Sequence, residues 1–253
     1  MGYFEELRRI VSVHKCVSCR AILSREDFNE SFCPTCKLQW QTAMTQSCPE
    51  CYGAAAECSC MPSQLSSAGA LTLRRLFFYN ARKDKEAQNK LVYFLKHNKN
   101  KRAARFAATQ LLRAAKEELA TLDVPSGEVV IVNMPRGRRA LKSYGFDQSA
   151  EVSRELASML GVTYADVISR RVGGKEQKKL NAAERRRNIK KLMRISPENA
   201  NLIKGKYVLL FDDVVTTGAS MAACVSLLRR AGVRGVVCLA LASDLKKEIS
   251  APR

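Results

Sequence analysis

Asp212 and Asp213 stand side by side at the end of an apolar run, Tyr207-Val-Leu-Leu-Phe211, and are followed by Val214-Val-Thr-Thr-Gly-Ala-Ser220. The run reads as a buried parallel strand. The two carboxylates then fall at its carboxyl edge, where open α/β sheets bind ligands. Thr216, Thr217 and Ser220 supply hydroxyls, and the backbone around Gly218 and Ala219 supplies a row of N–H groups. Gly218 allows the tight turn that wraps an anion. The helix expected from Ala219 aims its positive dipole end at the same point. Such a segment can hold a phosphate at its loop and sugar hydroxyls or a hydrated metal at its carboxylates. A strand ending in Asp-Asp also serves nucleotide hydrolases, but those need a G-x-x-x-x-G-K-[ST] loop upstream, and none is present. The plainer alternative is an ordinary strand–turn–helix with solvated aspartates.

Over Val208–Ser220 the segment resembles the phosphoribosyl-pyrophosphate (PRPP) motif of type I phosphoribosyltransferases: apolar strand, Asp-Asp, Val-x-Thr-Thr-Gly. The resemblance implies that Asp212 and Asp213 serve catalysis and that Thr216, Thr217, Gly218, Ala219 and Ser220 bind PRPP.

Pyrophosphate needs further cations, and two segments could supply them. Arg136, Gly137, Arg138 and Arg139 crowd the exit of an expected strand at Val129–Val132. Guanidinium groups grip phosphate oxygens in a two-pronged fork. The second segment, residues 170–188, carries Gly173-Gly174, Gln177, Lys178, Lys179, Arg185 and Asn188. A mobile basic loop of this kind can close over a charged leaving group and exclude water. Each also has a plainer reading. The first would be a basic surface turn, and the arginines of the second would pass for a nucleic-acid patch.

Eight of the ten cysteines lie between Cys16 and Cys60, as Cys16-x-x-Cys19, Cys33-x-x-Cys36, Cys48-x-x-Cys51 and Cys58-x-Cys60. In a chain read as cytosolic, paired cysteines at this spacing are zinc thiolates rather than disulfides. Two structural sites of four thiolates each are expected, with metal supplying the folding free energy of a segment too short to bury much apolar surface. A single zinc with spare thiols and an interleaved pairing of ligands both stay open. Cys224 and Cys238 read as buried apolar thiols.

The elements around these residues follow from periodicity. Residues 1–62 read as a double zinc ribbon, 63–75 as a small, polar linker, and 76–253 as an α/β domain. From about Lys83 to Leu122 two amphipathic helices are expected, with a break at Asn98-Lys99-Asn100. The cations at the break, including Lys96, Lys99 and Lys101, form either a solvated turn or a polyanion-binding face. Strands at Val129–Val132, Val162–Arg171, Tyr207–Phe211 and Gly235–Ala242 alternate with helices at Phe146–Leu160 and Ala219–Ala231, which predicts a parallel sheet flanked by helices. Asp147 or Ser149 would cap the first of these helices, and Gly232 would stop the second.

The net charge is +19, from 43 Lys+Arg against 24 Asp+Glu, which attracts polyanions. Aromatic residues are only 7%, with one Trp, so a broad base-stacking platform is not legible. No apolar stretch approaches the roughly 18 residues of a membrane span. The amphipathic start, with no signal-peptide core, leads to the expectation of a cytoplasmic protein.

Taken with the cysteine pairs and the spacing of Gln177, Leu180, Arg185 and Asn188, the chain resembles the ComF family, which joins an N-terminal zinc ribbon to a type I phosphoribosyltransferase domain. The resemblance implies one or two structural Zn2+ ions and Mg2+ bound with PRPP. It further implies a role in natural transformation, with single-stranded DNA and competence proteins such as a helicase or DNA-processing factors as partners. Tyr144 stands where that family's pattern has Arg, and Asp147 where it has Asn. These changes remove a cation and add an anion near the expected pyrophosphate site. Two readings therefore stay open: an enzyme that transfers phosphoribosyl to an unnamed acceptor, and a binding module that senses PRPP and docks DNA or a partner.

Overall fold

A computed structural model describes residues 13–27, 30–79, 85–170 and 192–244. Five strands, β1 (Thr72–Tyr79), β2 (Val129–Asn133), β3 (Thr163–Tyr164), β6 (Tyr207–Val215) and β7 (Gly235–Asp244), form one sheet in the order β1-β7-β6-β2-β3. Every pairing in it is parallel. Seven helices accompany it among the described residues: α1 (Pro34–Met44), α2 (Ser63–Ala68), α3 (Ala87–His97), α4 (Lys101–Thr121), α5 (Arg138–Tyr144), α6 (Gln148–Leu160) and α7 (Ala219–Arg230). Short strands β4 (Ile168–Arg170) and β5 (Met193–Ile195) pair antiparallel beside the sheet.

The sheet is buried on both faces, which is why its strands read as continuous apolar runs. Successive side chains still alternate. Leu209 and Phe211 of β6 join one core with Val129, Ile131, Val237 and Leu239. Val208 and Leu210 join the other with Val130, Val132, Val236 and Cys238. Helix α6 is capped by Asp147, whose side chain accepts from Ser149 and Ala150 N–H, and ends at Gly161 with φ 68°. Gly232, with φ 87°, turns the chain out of α7 as expected.

Three expectations are corrected. The 63–75 linker is built into the fold: it contains α2, which packs on α7, and the first residues of β1, which pairs with β7. Its smallness and polarity hid a strand whose two arginines find distant partners. Val162–Arg171 is not one strand. β3 pairs with β2 over two residues, and the chain then leaves the sheet to form β4. The strand carrying the carboxylates runs on to Val215, so Asp212 and Asp213 lie within β6, held there by its ladder with β7.

The cysteine-rich segment shares the main core. Phe32 meets Trp40 and also Phe106 of α4, and Trp40 meets Phe106 and Phe77 of β1, with ring centroids 5.3–5.7 Å apart in tilted and edge-on contacts. Trp40 Nε1 donates to Gln110 Oε1 at 3.1 Å. Arg74 of β1 bonds Glu117 and Glu118 of α4, each at 2.9 Å.

Candidate functional site

The carboxyl ends of β2 and β6 lie side by side, with Asn133 opposite Phe211. On one side of this pair the order continues to β3, and on the other to β7 and β1. The sheet's direction of growth therefore reverses between β2 and β6, the place where α/β sheets open a ligand crevice. Asp212 and Asp213 occupy that edge.

The two carboxylates differ in surroundings. Asp213 is buried, 6% exposed. Its Oδ2 accepts from Gln148 Nε2 at 2.7 Å and its Oδ1 lies 3.5 Å from Lys96 Nζ. Asp212 is half-buried, and its Oδ1 accepts the Asp213 N–H at 2.9 Å. Burial, and then the neighbouring Asp213 carboxylate, hold the Asp212 carboxyl well above the ordinary carboxylate range, against the pull of that N–H and of Lys96. Gln148 and Lys96 complete this cluster although the sequence reading left them out of the site. Gln148 directly follows Asp147; Lys96, in the last turn of α3, is among the cations of the Asn98–Asn100 break, which read as a solvated turn or a polyanion-binding face.

After β6 the chain turns at Thr216 and Thr217, both exposed, into Gly218, which is buried with φ 73°. Helix α7 begins at Ala219 with no side-chain cap; only the Ala219 N–H meets a local hydroxyl, Thr217 Oγ1 at 3.3 Å. The first turn of α7 therefore presents open N–H groups at its positive end. A Cβ on Gly218 would stand 3.2 Å from Pro62 Cβ and 3.3 Å from Leu65 Cγ, so α2 and its leading proline clamp the turn from behind.

The basic residues divide. Arg136 is tied into the structure: Nη1 donates to Phe146 O at 2.9 Å, Nη2 to Lys96 O at 2.6 Å, and its guanidinium lies 4.8 Å from the Tyr144 ring and 5.2 Å from Phe146. A guanidinium so engaged braces the β2 exit loop. Gly137 precedes α5, and Arg138 and Arg139 are exposed at its start. Gln177, Lys178 and Arg185 lie outside the described residues. The extra anion at Asp147 is absorbed locally, because it accepts the Arg136 N–H at 2.9 Å besides capping α6.

Both cysteine clusters assemble in sequence order: Cys16, Cys19, Cys33 and Cys36 in one, Cys48, Cys51, Cys58 and Cys60 in the other, with all Sγ atoms of a cluster within 4.8 Å of one another. This pairing is the direct one, not the interleaved one. Tetrahedral Zn–S bonds of about 2.3 Å place sulfurs about 3.8 Å apart. Cys19–Cys33 and Cys51–Cys58, each at 3.6 Å, fit that spacing. The knuckles repeat: Arg20 follows Cys19 with φ 67°, Tyr52 follows Cys51 with φ 60°, and each donates its N–H to the carbonyl of the leading cysteine, Cys16 or Cys48. Burial raises the Cys16 and Cys48 thiols, but backbone N–H donors outweigh it and bring each to about 7, a value suited to metal-binding thiolate.

The second cluster lies near the Thr216–Thr217 turn. A cavity of about 360 Å3 lies between them, lined among others by Glu50, Cys60, Pro62, Arg75, Thr216 and Thr217. Arg75, 2% exposed, donates to Cys58 Sγ at 3.0 Å and to the Cys60 carbonyl. Among the described residues no helix is long and apolar enough to cross a membrane.

Residues 141–252 match the phosphoribosyl transferase domain family. The chain is 31% identical over 147 residues to the DNA utilization protein YhgH of Salmonella typhi, covering 58% of this chain and 63% of that one. It is 31% identical over 107 residues to YhgH of Escherichia coli K12, covering 42% and 45%. The matches thus span about half to under two thirds of these relatives. Among solved structures, the glutamine PRPP amidotransferase of B. subtilis superposes with a TM-score of 0.36 at 18% identity, over 64% of this chain and 29% of that one.

Proposed function

We propose that the chain is a ComF-like protein with a type I phosphoribosyltransferase domain, and that it binds PRPP at the carboxyl edge of β6. The observation that carries this reading is the meeting of the Asp212–Asp213 pair with an uncapped helix N-terminus at Thr216–Ser220. In this reading the 5′-phosphate lies against the N-terminus of α7, bound by its N–H groups and the Thr216, Thr217 and Ser220 hydroxyls. Asp212 and Asp213 orient the ribose hydroxyls, and their hard oxygens are the donor set for Mg2+ held with PRPP. Bound there, Mg2+ supplies charge neutralisation to the pyrophosphate. Lys96 and Gln148 fix Asp213 so that the ligand meets an ordered carboxylate.

For turnover, the C1–O bond to pyrophosphate breaks and its electron pair leaves with pyrophosphate. A lone pair on the acceptor forms the new bond to C1, and the acceptor releases a proton. Carboxylates near the ring stabilise the positive charge that builds on it. The 360 Å3 cavity adjoins Thr216 and Thr217, on the 5′-phosphate side of this arrangement. The cysteine clusters hold structural zinc, and the second forms one wall of that cavity. The relatives' name, DNA utilization protein, supports a role in handling DNA, which we read as internalised single-stranded DNA handled with competence proteins in the cytoplasm.

Calorimetric titration with PRPP and Mg2+ tests the core of this proposal. The wild-type chain should bind, and the Asp212→Ala/Asp213→Ala double variant should bind at least tenfold more weakly. Equal binding by the two would sink the assignment. A second reading, a PRPP sensor without turnover, is favoured by the engagement of Arg136 away from any ligand. Pyrophosphate release with nucleobases, amines or oligonucleotides present separates the two.

A further inference from the structure

We propose that Tyr93, His97 and Tyr144 form a stacking platform for the unpaired bases of a single-stranded nucleic acid. Tyr144 is far from Tyr93 and His97 in the sequence, and the fold brings the three together. Tyr93 and His97 lie four residues apart on α3, their centroids 4.0 Å apart and their planes 34° apart. His97 meets Tyr144 of α5 edge-on at 4.9 Å. Tyr93 is 63% exposed and Tyr144 41%. Exposed aromatic rings in mutual contact are costly to leave in water and suit a partner with flat faces of its own.

The cluster is rigid. His97 Nδ1 lies 2.7 Å from Tyr93 O. Tyr144 is backed by the Arg136 guanidinium, itself pinned to the carbonyls of Phe146 and Lys96. Fixed rings lose little freedom on binding.

The charge around them selects the occupant. Helix α3 carries Lys90 and Lys96, helix α5 carries Arg138, Arg139 and Lys142, and neither helix contains a carboxylate. Lys99, exposed, follows α3. Lys96 faces Asp213, while Lys99, Arg138, Arg139 and Lys142 are exposed. Aromatic faces set among such cations are what a single strand requires: bases stack on rings while cations track the phosphates. A duplex keeps its base faces covered and cannot use the rings. A protein partner would bring carboxylates but no repeated flat faces.

The platform also adjoins the proposed PRPP site. Lys96 gives its carbonyl to Arg136 on the platform side and its ammonium to Asp213 on the site side. The platform and the proposed site therefore share Lys96. The inference deepens the proposed DNA-handling role and rests on that reading for its place in function, but its measurement is independent of PRPP.

The test is fluorescence anisotropy of the full, zinc-loaded chain with a labelled oligothymidylate of about 20 nucleotides, long enough for any one site. The matching duplex and an oligouridylate are run beside it. Single strands should bind more tightly than duplex. Tyr93→Ala and Tyr144→Ala should each weaken binding by about 5- to 100-fold, while Tyr93→Trp restores it. Lys142→Ala should reduce the slope of log affinity against log salt by about 0.7. Tyr93→Ala should leave the PRPP titration and the thermal midpoint unchanged. If both alanine variants, shown folded by their midpoints, bind the strand as the wild type does, or if duplex binds equally well, the inference is overturned while the PRPP reading stands. If PRPP fails to bind but strand affinity still depends on the rings, the platform stands and the proposed function falls. Tighter binding to the oligouridylate would support the platform and assign it to RNA.

Discussion

Arg75 donates to Cys58 Sγ at 3.0 Å from within the sheet, so strand β1 reaches directly into the second cysteine cluster. Burial raises the Cys58 thiol, and the Arg75 charge opposes that rise. Partners outside the ligand shell orient metal ligands, and their loss typically costs about 10- to 100-fold in metal affinity. Arg75→Met should therefore release zinc to a chromogenic chelator sooner than wild type, with one ion lost well before the other. Simultaneous release of both ions at the wild-type rate would count against this role.

On the proposed function, the cavity wall formed by that cluster would link zinc to PRPP. Cys60, Pro62, Thr216 and Thr217 line one space, and Pro62 and Leu65 press on Gly218. Stripping zinc should accordingly weaken PRPP binding even though no cysteine is assigned a contact to it. Calorimetry before and after chelation, with zinc restored as the control, reads this out. Undiminished PRPP affinity in the stripped chain would separate the two sites.

Gly218 has two reasons to be glycine: φ 73° and a neighbour 3.2 Å from any Cβ. An L-residue in the left-handed region costs about 1–2 kcal/mol, and the contact adds to it. Gly218→Ala should lower the thermal midpoint by about 2–8 °C. PRPP affinity should fall further than that strain alone explains, because the turn that presents the Thr217 and Ser220 groups must shift. A variant with lowered midpoint but wild-type affinity would remove the loop from the binding site.

Much of this arrangement is legible in the amino-acid order. Strands buried on both faces write themselves as apolar runs, and Val208–Leu210 or Val236–Leu239 could be little else. The break at Asn100 shows because Asn100 caps α4, accepting from Ala103 N–H. The paired cysteines announce their clusters by spacing. Strand β1 was hidden, since Arg74-Arg75 in mid-strand makes sense only with Glu117, Glu118 and Cys58 in place, all distant in sequence. Arg136 looked like a free anion clamp for the same reason: the carbonyls of Lys96 and Phe146 that occupy it are set by the fold. Tyr93, His97 and Tyr144 are three ordinary residues until α3 and α5 meet.

The cysteine-rich segment and the sheet should unfold together. Trp40, 2% exposed, packs on Phe77 of the sheet and Phe106 of α4. Trp40→Ala removes the centre of that cluster and should cost about 3–5 kcal/mol. Calorimetric scanning should show one transition moved down as a whole. Two separated transitions in the variant, with the later one unshifted, would mean that the cysteine-rich segment is only appended to the sheet.

Asp147 supplies a pH test. Burial raises its carboxyl above the ordinary value, against three backbone N–H donors from Arg136, Ala150 and Ser149 and the nearby Arg136 charge. The folded chain therefore holds this proton to higher pH than the unfolded chain does. Its contribution to stability is fully present below the unfolded carboxylate value, near about 3.9, and is lost as pH rises through the folded value. Asp147→Asn removes the titration, keeps one oxygen to cap α6, and places an amide donor toward the Arg136 N–H. Denaturant unfolding across the acid range should show the variant with a flatter dependence in that window and, near neutrality, a stability within about 1 kcal/mol of wild type. An unchanged slope in the variant would mean that Asp147 titrates in the fold as it does in the open chain, and that its three N–H donors fully offset its burial.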